Sequence, residues 1–249
     1  MTLRICSYNI HKGFSQFNRR MVVHELRDRL RTLDSDLVFL QEVQGLHLAH
    51  PQRHSSWPAQ PQHEFLAEES WQQTAYGGNA VYDHGHHGNA ILSRHAILSQ
   101  ANQDVSAHRF ERRGLLHCEI QLPGVAAAVH CVCVHLGLTG GGRRRQMEAL
   151  AERMEDLAPD GAPLIIAGDF NDWRNRADRL LADRLGLVEA FGGGIGRPAR
   201  SYPSALPFFR LDRIYVRGFR VRRAEVHFGA PWAQISDHAA LTAELEPLV

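Results

Sequence analysis

Apolar residues in this chain fall mainly into short runs, either alternating with polar residues or continuous, which is typical of β-strands. The stretch LRICSYNI at 3–10 alternates and contains β-branched residues, and SDLVFLQEV at 35–43 has the pattern of a buried strand. The full pattern predicts strands at 3–10, 35–43, 79–82, 88–93, 96–100, 114–121, 125–135, 163–168, 211–216, 220–227 and 239–245.

Helical spacing of apolar residues is confined to fewer segments. It predicts helices at 19–33 and 143–157, and a third near 176–184. The apolar face of the second helix consists of Met147, Leu150, Met154 and Leu157. Residues 44–62 contain three prolines and 192–209 are rich in glycine and proline, so both predict long loops.

This order of elements predicts the fold class. Roughly ten strands with few helices favour two stacked β-sheets flanked by helices. A chain of 249 residues, 44% of them hydrophobic, is large enough to bury such a core. No repeat, low-complexity tract or linker interrupts the pattern, so we expect a single α/β domain over residues 1–249.

The charge composition provides no global attraction to nucleic acid, because the formal net charge is +1. Of the 28 basic residues only Lys12 is a lysine, and this arginine bias can reflect genome composition as much as phosphate binding. The RRR stretch at 143–145 is therefore interpreted as the solvated first turn of a helix rather than as a basic patch.

Location and redox state are also indicated by composition. No apolar run is long enough to span a bilayer, and the first residues contain no basic leader followed by a long apolar region. We therefore expect a cytoplasmic protein without a transmembrane segment, and favour a monomer. The four cysteines lie in apolar, strand-like runs, which predicts small buried hydrophobes and not a structural zinc site.

The candidate catalytic and metal-binding residues lie where predicted strands begin or end. In PLIIAGDFNDW, at 163–173, an apolar run is followed directly by Asp169, Asn171 and Asp172. Polar residues stand in comparable positions at Asn9, Glu42, His135, Asp212, Asp237 and His238. If these strand ends meet, their carboxylates and amides form an oxygen-rich site that suits Mg²⁺ or Mn²⁺ and not zinc.

Each motif has a simpler structural explanation when it is taken alone. An isolated Asp-x-Asn is usually a turn, because both side chains bond to the local backbone. The sequence SDH is usually a cap, and a lone His135 is more often a hydrogen-bonded core residue. The motifs gain weight from occurring together, in one order, on this pattern of strands.

That order resembles a known family. The segments SYNIH, LQEV, GNAILS, VHLGL, AGDFND, LDRIYV and SDH are similar to the motif series of the endonuclease/exonuclease/phosphatase superfamily. Its members include pancreatic-type DNases, apurinic endonucleases, neutral sphingomyelinases and inositol-polyphosphate 5-phosphatases. The resemblance covers nearly the whole chain, and the motifs are most similar to those of small stand-alone bacterial members. It implies a DNase-I-like four-layer α/β/β/α sandwich.

The resemblance also implies a metal site and a base. Glu42 would be the main ligand of Mg²⁺ or Mn²⁺, supported by Asn9, and Asp237 would complete or share the site. Asp169 would position or deprotonate the attacking water, and Asn171 would hold a non-bridging phosphate oxygen.

Further roles concern the charge that develops on the phosphate. His238 would stabilise the charged transition state, oriented by Asp212, and His135 would be a second histidine facing the phosphate. The carboxylate partner of His135 is not fixed by the motifs, and Glu69 is one candidate. Arg113, in ERRGLLH, falls where relatives place a phosphate-contacting group.

The resulting expectation is a divalent-metal-dependent enzyme that hydrolyses a phosphodiester. Its substrate is left open between nucleic acid, DNA or RNA, and a phospholipid or its headgroup. The aromatic residues of the two long loops, Trp57, Tyr202, Phe208 and Phe209, could contact lipid, stack on a base, or pack as covers, and packing is the commonest of these. The alternative is a catalytically inactive protein that binds a phosphate ligand on the same fold.

Overall fold

The computed structural model describes residues 1–108, 110–174, 177–192 and 199–248, with the backbone alone at 178 and 179. Its strands form two six-stranded sheets. The first sheet contains β1 (Leu3–Asn9), β2 (Leu37–His47), β3 (Gln73–Tyr82), β4 (Gly85–Ser93), β11 (Phe219–His227) and β12 (Ala240–Pro247). The second contains β5 (Ala96–Asp104), β6 (Gly114–Gln121), β7 (Val129–His135), β8 (Leu164–Asp169), β9 (Val188–Glu189) and β10 (Asp212–Arg217).

The helices of the described residues are short apart from two. They are α1 (Val23–Thr32), α2 (His50–Arg53), α3 (Gln62–Ala67), α4 (Gly140–Leu157) and α5 (Asp183–Leu185). Single helical turns lie at His11–Gly13, Gln16–Asn18, Asp178–Ala182 and Trp232–Gln234. No helix of the described residues has the length and apolarity needed to cross a bilayer.

The middle of each sheet repeats one arrangement of strands. In the first sheet β1 pairs in parallel with β2 and antiparallel with β12. In the second, β8 pairs in parallel with β7 and antiparallel with β10. Parallel strands end at the same edge of a sheet, and an antiparallel neighbour begins there. The ends of β1, β7 and β8 therefore share an edge with the starts of β10 and β12.

The central core lies between the two sheets. Leu3, Ile5 and Phe39 from the first sheet pack against Cys131 and Ile165 from the second. Successive strand residues point to opposite faces, so Cys6 and Tyr8 of β1 lie in the outer core on the other side of the first sheet. A strand that is buried on both faces needs apolar residues at successive positions, as β2 has over Leu37–Leu40.

Helices complete the outer layers. Leu26 of α1 and Phe65 of α3 cover the outside of the first sheet. Leu150 and Met154 of α4 cover the second sheet, where they meet Val132. The expected four-layer α/β/β/α sandwich is thereby confirmed. The four cysteines are free and buried, as expected from their apolar surroundings.

Several element boundaries differ from the predicted ones. β3 begins at Gln73, well before the predicted start at residue 79, because it pairs with β4 along its whole length despite its polar and glycine residues. The predicted loop at 44–62 contains the end of β2 and the short α2, and α3 was not predicted. Of the predicted loop at 192–209, residues 193–198 lie outside the described residues.

The start of α4 corrects the interpretation of the arginine run. The helix begins at Gly140, where the Thr139 hydroxyl accepts a hydrogen bond from the Gly142 amide, so the cap outweighs the low helix propensity of three glycines. The expectation of a solvated turn is wrong for Arg143, which is buried and donates to the Leu138 carbonyl at 2.6 Å. It holds for Arg144, whose side chain is exposed.

Candidate active site

The two sheets meet at the edge where Asn9 ends β1. The Asn9 side-chain amide donates to Asp169 Oδ2 at 3.1 Å and lies 3.5 Å from Glu42 Oε1. Its own oxygen accepts from the His11 amide at 3.1 Å. Asn9 is therefore held in one orientation, with Glu42 and Asp169 on either side of its amide group.

Glu42 projects from an irregularity in β2. The pairing of β2 with β4 shifts register between Leu40 and Val43, which marks a β-bulge, and Glu42 has a positive φ of 55°. A non-glycine residue rarely adopts this conformation unless the surrounding structure imposes it, and such residues cluster at functional sites. The bulge re-aims the Glu42 carboxylate toward the end of β1.

Positive charge keeps the Glu42 carboxyl ionised. Burial alone would raise its pKa, but His135, the Lys12 ammonium and neighbouring histidines lower the pKa to about 2. Lys12 Nζ lies 3.6 Å from Glu42 Oε2. Because burial lowers the pKa of His135, as described below, the cations that act on Glu42 at neutral pH include Lys12 and the imidazolium of His238.

The AGDFND segment forms the turn that follows β8. Gly168 has φ of 148°, and a Cβ there would lie 1.9 Å from the Val134 carbonyl oxygen of β7, so only glycine fits. Asn171, with φ of 49°, donates from its backbone to Asp169 Oδ1 at 2.9 Å and from its side chain to the Leu136 carbonyl at 2.9 Å. Asp172 does not join the cluster, because its carboxylate accepts from the Ala177 amide at 2.8 Å.

Asp169 is almost completely buried, with 1% of its surface exposed. Burial raises its pKa and the charge of Asp212 adds to the rise, while His238 and the hydrogen bonds from Asn171 and Asn9 oppose it, giving a pKa of about 6. A carboxylate with a pKa near the working pH can both accept and release a proton during a reaction.

Asp212 and His238 form a buried pair. Asp212 begins β10 opposite Asp169, and His238 lies two residues before the start of β12. His238 Nδ1 lies 2.8 Å from Asp212 Oδ2, which also accepts from the Ser201 hydroxyl at 2.5 Å. Asp212 therefore contacts the ring that it was expected to orient.

This pairing determines the charge of His238. Burial would lower its pKa, but Asp212 and Asp169, with a further contribution from Asp237, raise the pKa to about 10. His238 is therefore an imidazolium at neutral pH. Its Nε2 lies 3.7 Å from Asp169 Oδ2 and is the ring nitrogen not used by Asp212.

His135 lies at the end of β7, beside Asp169 in the parallel register. Its Nε2 is 3.6 Å from Asp169 Oδ2. Burial lowers the pKa of His135 well below its ordinary value, and Arg113 adds to this effect, so the ring is neutral. Glu69, suggested as its partner, instead lies 3.4 Å from Arg31 with an exposed side chain. That suggestion is wrong, because the chain after α3 places Glu69 beside Arg31 of α1.

Asp237 lies between the buried Ser236 and His238 and is itself half-buried. Its Oδ1 is buried and has no hydrogen-bond partner. An orphaned carboxylate oxygen is costly to bury unless a cation satisfies it. Carboxylate and amide oxygens, such as those of Asp237, Glu42 and Asn9, are the hard donors that Mg²⁺ or Mn²⁺ takes.

A second group of residues could also hold a cation. Asp169, Asp212 and His238 offer ligand atoms that all lie within 4.8 Å of one another. His238 would have to lose its proton and its bond to Asp212 to become a ligand. The geometry of this trio therefore fits a hydrogen-bonded catalytic group better than a metal cage.

Arg113 lies immediately before β6, and protein groups hold its guanidinium. Its Nε donates to the Leu136 carbonyl at 3.2 Å, and one terminal nitrogen is 3.4 Å from Glu111 Oε1. Only 15% of the side chain is exposed. The guanidinium thus braces the segment that follows His135, and its ion pair with Glu111 is mostly buried. Arg109, another basic residue of this segment, lies outside the described residues.

Three residues that lie in the site had no predicted role. Ser201 bonds to Asp212, and Ser236 donates to the Asn9 carbonyl at 2.7 Å while accepting from the His238 amide at 3.2 Å. Lys12 lies beside Glu42. One signal for Lys12 was available, since it is the single lysine among 28 basic residues. The serines could not be distinguished from ordinary loop residues.

Exposed aromatic side chains border the site on the His238 side. Tyr202 packs against the His238 ring with centroids 5.1 Å apart. The centroid of the Phe209 ring lies 4.3 Å from that of Phe208 and 5.5 Å from that of Trp173. These three residues are between 36% and 56% exposed. Trp57 differs, since it is buried against Phe14. Packing as a cover therefore describes Trp57 but not the Phe208–Phe209 pair.

Comparison with known proteins adds to this geometry. A family model described as the Endonuclease/Exonuclease/phosphatase family matches residues 6–238. The chain is also 47% identical over 244 residues to the uncharacterized protein YbhP of Escherichia coli K12, covering 98% of this chain and 96% of that protein.

Two solved structures illustrate the likeness of fold. An endonuclease/exonuclease/phosphatase from Beutenbergia cavernae superposes with a TM-score of 0.76 at 18% identity, covering 99% of this chain and 72% of that one. A mannosyl-6-phosphatase from Bacteroides thetaiotaomicron superposes with a TM-score of 0.72 at 16% identity, covering 98% and 99%. At such identities these likenesses concern the fold alone.

Proposed function

We propose, from the premise that this chain belongs to the endonuclease/exonuclease/phosphatase family, that it is a divalent-metal-dependent hydrolase of phosphodiesters. The observation that carries the proposal is the arrangement around Asp169. Within 4 Å of its buried Oδ2 lie the amide of Asn9 and the rings of His135 and His238. A water molecule and an anionic phosphate require such a combination of base and hydrogen-bond donors.

Asn9, Glu42 and Asp237 would hold Mg²⁺ or Mn²⁺ in this proposal. Support comes from the low pKa of Glu42 and from the unpartnered buried oxygen of Asp237. When bound, the metal ion would neutralise negative charge on the phosphate oxygens and on the leaving oxygen.

Asp169 is proposed to orient the attacking water and accept its proton. The backbone amide of Asn171 fixes Oδ1 and the side chain of Asn9 fixes Oδ2, so the carboxylate cannot rotate away. With a pKa of about 6, it is mostly ionised at neutral pH yet basic enough to take a proton. A positioned base of this kind typically accelerates a reaction by ~10²–10⁴-fold.

His238 is proposed to donate from Nε2 to a phosphate oxygen. Asp212 accepts from Nδ1, holds the ring in place and stabilises its positive charge. His135 is a neutral donor on the other side of Asp169. The Asn171 amide group has a second hydrogen available for a non-bridging oxygen, since it uses one on Leu136.

The substrate is proposed to be a nucleic acid or a phospholipid or headgroup diester. The exposed Phe208, Phe209 and Trp173 favour a planar or apolar group beside the scissile phosphate. Arg113 is a candidate contact for the phosphate, in which case Arg113→Ala raises KM. An inactive phosphate-binding protein is the less favoured alternative, because binding alone has no use for a buried carboxylate with a pKa near neutrality.

The decisive experiment is hydrolysis of bis-p-nitrophenyl phosphate with and without Mg²⁺, using the wild type and Asp169→Asn. The proposal expects metal-dependent release of p-nitrophenol by the wild type and a loss of at least ~10²-fold in kcat for the variant. Plasmid DNA, abasic DNA, RNA and phospholipid vesicles then identify the substrate class. Full activity in excess chelator, or an equally active Asp169→Asn protein, would reject the mechanism.

A further inference from the structure

A cleft opens at Lys12, the residue that contacts Glu42. It has a volume of about 290 Å³. Its walls come from the segment after β1 and from α2, and they include Lys12, Phe14, Asn18, Gln44 and Arg53, with two histidines. Lys12 connects the cleft to the active site, because its ammonium lies 3.6 Å from Glu42 Oε2.

The cleft is positively charged. None of the residues that line it is acidic, whereas two carry a permanent positive charge, Lys12 and Arg53. Arg53 is exposed, and within the described residues it forms no hydrogen bond or ion pair. Its guanidinium is therefore available for a ligand. Asn18 and Gln44 add amide groups that can donate to an anion.

The wall behind these cations is rigid. The Phe14 ring stacks on Trp57 at 5.7 Å and packs against His50 at 5.2 Å and His54 at 5.4 Å. Gln44 Nε2 lies 3.2 Å from His50 Nε2. Burial lowers the pKa of His50 to about 4, so this ring is a neutral part of the wall. A preformed wall limits the entropy lost when a ligand is bound.

We propose that this cleft binds a second phosphate group of the substrate, next to the phosphate that is cleaved. The inference rests on the proposed function, since it extends the same site. Arg53 presents a planar fork of donors that matches phosphate oxygens, and Lys12 adds a point charge that lies between that phosphate and Glu42. The preferred substrate therefore contains two phosphates on one short scaffold.

Binding to the full-length protein in Mg²⁺ tests the inference directly by calorimetry. Thymidine 3′,5′-bisphosphate is compared with thymidine 5′-monophosphate, and glycerol bisphosphate with glycerol 3-phosphate. We expect the wild type to prefer the bisphosphate in at least one pair by roughly tenfold or more, the gain from one charge-assisted contact. Preference in both pairs means that the phosphates are recognised without the base, and preference in one identifies the scaffold.

Variants separate the cleft from general charge effects. Arg53→Ala should abolish the preference, and Arg53→Lys should restore part of it. Arg220→Ala is the matched control, because Arg220 is also an exposed arginine, at the start of β11, and it is paired with Glu246. Equal affinities for both members of each pair in the wild type, or a preference that survives Arg53→Ala, would overturn the inference.

A kinetic comparison distinguishes this inference from the proposed function. Thymidine 5′-(p-nitrophenyl phosphate) is assayed with and without a 3′-phosphate, and kcat/KM should be higher with it by a similar factor. If neither diester is hydrolysed, the proposed function fails for these substrates. The calorimetric preference still shows whether the cleft binds a second phosphate. If both are hydrolysed equally well, the proposed function stands and the second phosphate site is rejected.

Discussion

At the residue scale, Asp169 is the group on which the candidate site converges. Its two oxygens receive hydrogen bonds from Asn171 and Asn9, and both histidine rings lie beside Oδ2. Each neighbour changes either the orientation or the basicity of this carboxylate. Substitutions around it should therefore alter kcat more than they alter folding.

The Asp212–His238 pair gives the first prediction. Asp212→Asn keeps the shape but removes the charge that stabilises the imidazolium, so kcat with a diester substrate should fall on the order of 10²–10³-fold. Adding His238→Ala should cause little further loss, because both residues act through one imidazole. A double-mutant cycle on kcat measures this. Strictly multiplicative losses would mean that the two residues act independently.

Glu42 gives a second prediction at this scale. Glu42→Gln keeps the volume of the side chain and removes its charge, so the Mg²⁺ concentration for half-maximal activity should rise by roughly tenfold or more. The thermal midpoint should change little. Glu246→Gln, at the far end of β12, is the matched control and should leave metal dependence as it is. A Glu42→Gln protein with unaltered metal dependence would remove Glu42 from the metal site.

At the element scale, one irregular strand and one regular strand pair create the site. The bulge in β2 turns Glu42 toward Asn9. The parallel register of β7 and β8 pairs His135 with Asp169, and residues paired in this way point to the same face of the sheet. The close approach of the two strands at Gly168 leaves no room for a Cβ. The shared edge of the sheets thus carries a cluster of polar groups.

Gly168 provides a third prediction. In Gly168→Ala the new Cβ meets the Val134 carbonyl oxygen at 1.9 Å in a backbone conformation that favours glycine. We expect a loss of at least about 2 kcal/mol in the free energy of unfolding. Gly141→Ala is the control, because no atom lies within 4 Å of its added Cβ and it stands in the first turn of α4. Thermal melts of both variants decide the matter, and equal midpoints would contradict the expected clash.

At the scale of the whole molecule, buried neutral histidines connect stability to pH. His117 and His130 stack 5.3 Å apart, with His117 Nε2 at 3.1 Å from His130 Nδ1. Burial, helped by the charges of His130 and Arg153 and opposed by Glu119, lowers the pKa of His117 to about 4. The unfolded chain therefore binds more protons than the folded one between about pH 6.5 and 4.

The fourth prediction follows from that sign. The thermal midpoint should fall as pH decreases through this window, and it should fall less in His117→Gln, which cannot be protonated. Melts of the two proteins at several pH values from neutral to acidic measure the difference in slope. Identical slopes would show that the His117–His130 pair does not contribute to acid sensitivity.

The positions of most strands were accessible from the sequence, because alternation and apolar runs are local signals of strand burial. The order of AGDFND, LDRIYV and SDH also identified the family, which the family model confirms. The full length of β3 was not accessible, since its residues 73–78 are polar or small and are ordered by pairing with β4. The start of α4 was not accessible either, because its first three residues are glycines of low helix propensity, and the Thr139 cap stabilises them.

The sequence, through its resemblance to the family, therefore predicted most of the polar residues of the candidate site, and what each of them contacts was decided only by the tertiary structure. Asn9 and Asp169 are 160 positions apart, yet share a hydrogen bond because the two sheets stack with their edges aligned. Ser201, Lys12 and the charge of His238 became apparent only there. The physical reason is that strand patterns depend on neighbours in sequence, whereas hydrogen bonds and pKa values depend on neighbours in space.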